Sequence, residues 1–183
     1  MIYPIYVYGS GVLRKECQEI DENYPELAKL IEDMFATMYA TDGVGLAAPQ
    51  IGKDIRLFVV DGTPFADEDP TAVGFKKVFI NPEIYEVSEE EVLLSEGCLS
   101  VPGIHEEVYR PESVRINYLD ENFVEHDEQL TGWPARIVQH EYDHLDGFVF
   151  TDRLSTLRKT LLRNKLNAMA KGKFSCAYRT KQK

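Results

Sequence analysis

Cysteine is scarce in this chain, with three residues in 183. So few thiols exclude a disulfide framework and point to a reducing compartment. Long apolar runs are missing too. None approaches the roughly 20 residues of a membrane span, so no membrane is expected as a partner. The N-terminus, MIYPIYVYGSG, has no basic leading region and no small-residue cleavage site, and does not read as a secretory signal. No internal repeat and no low-complexity tract appears.

What is present is ordinary in amount and uneven in placement. Hydrophobic residues make up 44% and charged residues 28%, values that argue against disorder, collagen and coiled coil. The length suits one domain over 1–183. A chain of this size buries roughly 70% of its extended surface and needs no staples. From Asp152 to Lys183 there are ten Lys and Arg against one acid, a net of +9; the whole chain is −11, so residues 1–151 carry −20. An acidic body with a basic C-terminal helix and tail, about 153–183, is a charge pattern that suits a partner.

From Glu26 the apolar positions Leu27, Leu30, Ile31, Met34, Phe35 and Met38 mark one face of a helix. Pro25 stands where its first residue would, and Gly43 and Gly45 lie past its end. IRLFVV (55–60) reads as a strand ending at Asp61-Gly62. Residues 63–76 are turn-rich and read as an exposed loop, an insertion to which no function is assigned. KVFI (77–80), VLL (92–94), VRINYL (114–119) and NFVEHDEQL (122–130) read as short strands. A second helix is expected over about Pro134–Leu145, with Gly147 beyond it. A third is expected over about Leu154–Ala170, with Leu154, Leu157, Leu161, Leu162 and Leu166 on a core-like face. The expected fold is α+β: mainly antiparallel strands packed around a central helix bearing HExxH, with one helix N-terminal and one C-terminal.

The strongest chemical signal is His140-Glu141-Tyr142-Asp143-His144. Spaced i, i+4 on a helix, both imidazoles share one face, and two such nitrogens grip one metal ion at about 2.0–2.1 Å. Glu141 beside them suits a general base. By composition, chance would produce roughly 0.01 such matches in this chain.

A catalytic site needs a third protein ligand and an open position. Downstream there is no His after His144 and no Glu after Glu141. Asp146 points off the histidine face, Asp152 lies beyond a Gly-containing turn, and Cys176 sits in a basic tail expected to fray. Upstream, Cys98 in Ser95-Glu96-Gly97-Cys98-Leu99-Ser100 ranks first, because a thiolate suits zinc or iron; His105 is a distant second. His126, among Glu125, Asp127 and Glu128, reads as solvated. The segment Gly43-Val44-Gly45-Leu46-Ala47-Ala48-Pro49-Gln50 is too apolar for a solvated loop and lacks the Lys-Ser/Thr ending of a phosphate loop. Gly45 would let a peptide backbone pass close by, and Gln50 offers an amide donor for a developing oxyanion.

Together GVGLAAPQ, EGCLS and QHEYDHL, in that order, resemble the three signature motifs of the peptide deformylase family. The resemblance covers the chain from the first helix to about Asp152. It implies that Cys98, His140 and His144 hold one divalent metal ion, with water in the fourth position. Fe2+ is the expected ion, and Zn2+, Ni2+ or Co2+ are alternatives in purified protein. It implies Glu141 as base and then acid, Gln50 and the backbone N–H of Leu99 as oxyanion donors, and Gly45 as a partner of the substrate backbone. Val44, Leu94, Trp133 and Ile137 would line a pocket for methionine. The implied activity is removal of the N-terminal formyl group from formyl-methionyl nascent peptides, releasing formate and a free amino terminus. The implied setting is the bacterial cytoplasm, without DNA. The basic tail would suit ribosomal RNA. Two rivals remain: a metallopeptidase, disfavoured by the missing downstream ligand, and a structural or merely binding metal module, in which Glu141 would have no purpose.

Overall fold

In the computed structural model, which describes residues 1–182, the chain forms an α+β fold. Lys183, the end of the basic tail, lies outside the described residues. The elements run β1 (Ile5–Tyr6), α1 (Leu27–Ala40), β2 (Gly45–Ala47), β3 (Leu57–Asp61), β4 (Lys76–Val87), β5 (Glu91–Cys98), β6 (Val101–Pro111), β7 (Ser113–Leu119), β8 (Glu125–Thr131), α2 (Gly132–Leu145), α3 (Thr156–Ala170) and β9 (Thr180–Lys181). Among the described residues no helix is long and apolar enough to cross a membrane.

The main sheet is antiparallel and five-stranded, in the order β2-β3-β4-β7-β8. Its middle explains why LFVV shows no polar alternation. Side chains alternate between faces with period two, and here both faces are covered. Leu57, Val59, Val78 and Ile80 join α1 residues Leu27, Leu30, Ile31, Met34 and Met38 in one cluster. Phe58, Val60 and Phe79 join Ala135, Ile137, Val138 and Leu145 of α2 in another. Phe58 and Phe79 stack at 4.7 Å between centroids.

β5 and β6 form a separate antiparallel hairpin. It meets α2 on the side away from the sheet, where Arg136 donates to Val92 O and Val108 O and Gln139 donates to Pro111 O. With the sheet on one side and the hairpin on the other, α2 buries polar residues as well: Arg136, Gln139, Glu141, Asp143 and His144. Val101, Ile104 and Val108 of β6 pack with Phe150, Leu154, Leu166 and Met169 in a third cluster.

Several expectations need correcting. Glu26 is left-handed (φ 52) and precedes α1, so Pro25 belongs to a turn and not to the helix. KVFI continues through Asn81-Pro82 to Val87 as β4, with register breaks against β7 that absorb the proline. The α3 leucines divide. Leu166 and Leu154 are buried, but Leu157 and Leu161 are 68% and 62% exposed, because the stripe carrying Leu162, Leu166 and Met169 is the one that meets β6.

Residues 63–76 are not a simple loop. They make two short 3-10 turns, Thr63–Phe65 and Pro70–Ala72, and bury Ala72 and Phe75. The Asp69 carboxylate accepts from the N–H of Trp133, in the first turn of α2, at 2.7 Å. Gly132, with φ +59, allows this approach, since a Cβ there would stand 2.2 Å from Asp69 Oδ2. Nor does the tail fray: β9 pairs in parallel with β1.

Candidate metal and catalytic site

Two elements deliver the site. α2 carries His140 and His144 one turn apart, with ring centroids separated by 5.3 Å. The hairpin delivers Cys98, where the register of β5 on β6 breaks between Gly97 and Cys98. Such a break re-aims a side chain. Cys98 Sγ lies 3.3 Å from His144 Nε2. One ligand atom from each of Cys98, His140 and His144 falls within 4.8 Å of the others.

The histidines differ in what stands behind them. His140 Nδ1 is 2.8 Å from Glu96 Oε1, which fixes the ring and leaves Nε2 for the site. Its hydrogen bonds with Cys98 and Glu96 overcome burial and hold its pKa well above the usual value. His144 has no such support; burial pushes it down to about 3, and its Nδ1 has no hydrogen-bond partner among the described residues. A neutral imidazole is the metal-binding form. Burial pushes Glu141 up to about 7, and its Oε2 is likewise unpaired. A thiol, two imidazoles and an orphaned carboxylate oxygen in one place fit a divalent cation with borderline-soft ligand preferences.

Behind this group lies a buried charge cluster. Arg110 grips Glu96 with Nε and Nη2 at 2.7 and 3.0 Å and reaches Asp143 with Nη1 at 2.8 Å. Arg136 adds a bond to Glu96 at 2.7 Å, and Arg153 holds both oxygens of Asp143 at 2.6 Å. Burial alone would raise both carboxyls, yet these partners, with His140 at Glu96, hold Glu96 well below the usual carboxylate range and lower Asp143 as well.

The GVGLAAPQ segment supplies the opposite wall. The side-chain oxygen of Gln50 accepts from Ala47 N at 2.9 Å, so its amino group faces the site, 3.2 Å from Ser100 Oγ and 3.5 Å from Cys98 Sγ. Gly45 has a reason that the sequence did not disclose: a Cβ there would sit 2.4 Å from Glu141 Oε1. β2 is an edge strand. Val44 O accepts from Asp61 N of β3, and the antiparallel alternation then leaves the N–H and C=O of Gly45 on the open side.

A cavity of about 610 Å³ joins these groups; Val44, Gly45, Gln50, Trp133 and Ile137 line it with the Cys98–Glu141 centre. Leu94 lines a second cavity of about 390 Å³, which shares Trp133 and Arg136 as a wall. The rival ligands are elsewhere or otherwise engaged. His105 lines the main cavity opposite Gly97 but is not in the ligand group. His126 bonds Asp120, Asp146 bonds Arg56, and Asp152 bonds Arg14. Cys176 lines the cavity and donates to Tyr178 O.

Some lining residues carried no sequence signal. Phe65, from the 63–76 segment, stacks on Trp133 at 4.0 Å and 11°. Tyr178 likewise gave none, nor did Arg110, which lies buried behind the site. Glu96 stood inside the EGCLS motif, but its bond to His140 is a tertiary contact.

Comparison with known proteins bears on this arrangement. The polypeptide deformylase family model matches residues 2–160, so residues 171–182 lie outside the match. The peptide deformylase of Christiangramia forsetii is 47% identical over 186 residues, covering 98% of this chain and 95% of the relative. That of Salinibacter ruber is 49% identical over 182 residues, covering 97% and 93%. Among solved structures, Arabidopsis thaliana peptide deformylase 1B in complex with an inhibitor is 40% identical, with a TM-score of 0.83 and coverage of 92% and 91%. Thermotoga maritima peptide deformylase is also 40% identical, with a TM-score of 0.77 and coverage of 85% and 99%.

Removing Arg110 takes from Glu96 and Asp143 the one buried guanidinium they share, leaving each carboxylate only partly paired. Arg110→Met is expected to cost about 3–5 kcal/mol at neutral pH, read by urea unfolding. The deficit should shrink as pH falls below about 4, because protonated Glu96 and Asp143 no longer need the guanidinium. An unchanged midpoint at pH 7 would show that the cluster does not hold the two elements together.

Proposed function

We propose residue roles for this chain, which belongs to the peptide deformylase family. The chain is a metal-dependent hydrolase that removes the N-terminal formyl group from nascent peptides. The convergence of Cys98, His140 and His144 beside Glu141 carries the assignment of roles.

Cys98 Sγ and one nitrogen each of His140 and His144 would hold the ion, which we take to be Fe2+, with Zn2+, Ni2+ or Co2+ able to replace it. Such an ion supplies Lewis acidity and lowers the pKa of the attacking water towards ~7. Glu141, its buried carboxyl pushed up to about 7, can take and return a proton near neutral pH. Glu141 takes the proton from water as oxygen attacks the formyl carbon. The amino group of Gln50 and the N–H of Leu99 donate to the oxyanion that forms. Glu141 returns the proton to the amine nitrogen, the C–N bond breaks, and formate leaves a free amino terminus.

The peptide is an N-formylmethionyl chain. Its backbone would add to the open edge of β2 at Gly45, in the manner of strand addition. Val44, Trp133 and Ile137 would take the methionine side chain. Leu94 would support that wall from behind Trp133.

The setting we propose is the bacterial cytoplasm, where three free cysteines are at home. The basic face of α3 would dock on ribosomal RNA. Arg158 is paired with Glu106 and Lys165 donates to Gly103 O, so Lys159 and Arg163 are the residues to change. Co-sedimentation with ribosomes at low salt should be lost in Lys159→Ala/Arg163→Ala; retention equal to the parent would end this part.

The roles are tested on protein purified without oxygen. About one metal per chain and formate release from a formyl-Met tripeptide are expected. Glu141→Ala should keep the metal and lower turnover by about 10²–10⁴. Parent-like turnover in that variant would contradict the role of Glu141.

A further inference from the structure

Residues 171–182 leave α3 through Gly172, whose φ is +76, and turn back over the body. Phe174 packs into the cluster formed by β6 and α3. Ser175, Cys176, Ala177 and Tyr178 then line the main cavity. Beyond them, Arg179 O accepts from Ile5 N at 2.9 Å and Lys181 O accepts from Val7 N at 3.1 Å. Gln182 Nε2 returns to Met169 O. The segment is a strap, anchored on both sides of the stretch that crosses the cavity.

Tyr178 joins the strap to the catalytic turn. Its hydroxyl donates to Leu99 O at 2.7 Å, the one side-chain hydrogen bond to Leu99 among the described residues. Its ring packs against the cluster beneath α1. Burial holds its pKa well above the ordinary value, so the group is a protonated donor throughout the physiological range. Ser100, next in the turn, is tied as well: its O accepts from Tyr8 N at 2.8 Å and its Oγ from Gln50 Nε2 at 3.2 Å. Leu99 and Ser100 are thus pinned from the strap, from Tyr8 just beyond β1 and from Gln50.

We propose that Tyr178 is a positioning residue for deformylation: by fixing the Leu99 carbonyl it fixes the backbone at Leu99, and so aims the Leu99 N–H at the oxyanion. This rests on the reading of Leu99 N–H as an oxyanion donor. Such a donor works through preorganisation, and a small misplacement in the transition state is costly. Among the described residues no other side chain holds the Leu99 carbonyl, so the C-terminal strap would take part in shaping the site.

Tyr178→Phe keeps the ring and the strap and removes only the hydroxyl. Its kcat on a formyl-Met tripeptide should fall about 3- to 30-fold, a part of the 10²–10³-fold lost when an oxyanion donor is deleted outright. KM should stay within about twofold and metal content should not change. In the 15N-labelled, zinc-loaded protein the Leu99 amide should shift and exchange faster. A merely structural role would raise KM or release metal with kcat unchanged, and that result would overturn the inference. So would a parent-like kcat in Tyr178→Phe alongside a slowed Gln50→Ala. A parent-like kcat in Gln50→Ala would instead overturn the oxyanion reading, and the inference with it.

Discussion

Arg110 is 1% exposed and lies between two buried carboxylates, and the geometry of the site depends on it. It comes from β6. Glu96 comes from β5 and Asp143 from α2. One guanidinium therefore joins the hairpin to the helix, and Arg136 and Arg153 complete the neutralisation. Unpaired charges at this depth are too costly to tolerate, so the hairpin is held in the one registry that pairs them all. That registry sets Cys98 against His140 and His144. Buried ion pairs add little net stability compared with apolar side chains of similar shape; what this cluster contributes is position.

The same cluster links structure to reactivity. Glu96 carries two arginines and also holds His140 Nδ1, so fold and ligand orientation pass through one carboxylate. Glu141, the residue after His140, makes no ion pair among the described residues, and its carboxyl rises to about 7 under burial. Two neighbouring glutamates are thus driven in opposite directions by their surroundings. One is fixed as a permanent anion; the other is left able to carry a proton at neutral pH. Gly45 completes the arrangement, since a side chain there would occupy the space of the Glu141 carboxylate.

The parts legible in the sequence were those set by local periodicity or dense motifs. The spacing of His140 and His144 required a helix, and α2 is there. Leu27 to Met38 marked α1, and the unbroken LFVV marked a strand that proves to be covered on both faces. The parts that escaped depend on contacts distant in sequence. β6 has a mixed pattern because it lies on buried polar partners as well as apolar ones. Leu157 and Leu161 share helical spacing with Leu166, yet which stripe is buried depends on where β6 lies. Arg110 looks like any strand arginine until Glu96 and Asp143 meet it. Phe65 and Tyr178 reach the cavity from segments whose composition reads as loop and tail, because Asp69 caps α2 and β9 pairs with β1.

If the Arg110 cluster sets one thiolate against two imidazoles to hold a single metal ion, X-ray absorption at the metal edge of the zinc-loaded protein will show that ligand set. One sulfur at about 2.3 Å and two imidazole nitrogens at about 2.0–2.1 Å are expected, with the remaining position taken by oxygen. Coordination without sulfur, or with a third imidazole in its place, would show that Cys98 is not a ligand and that the cluster does not set it there.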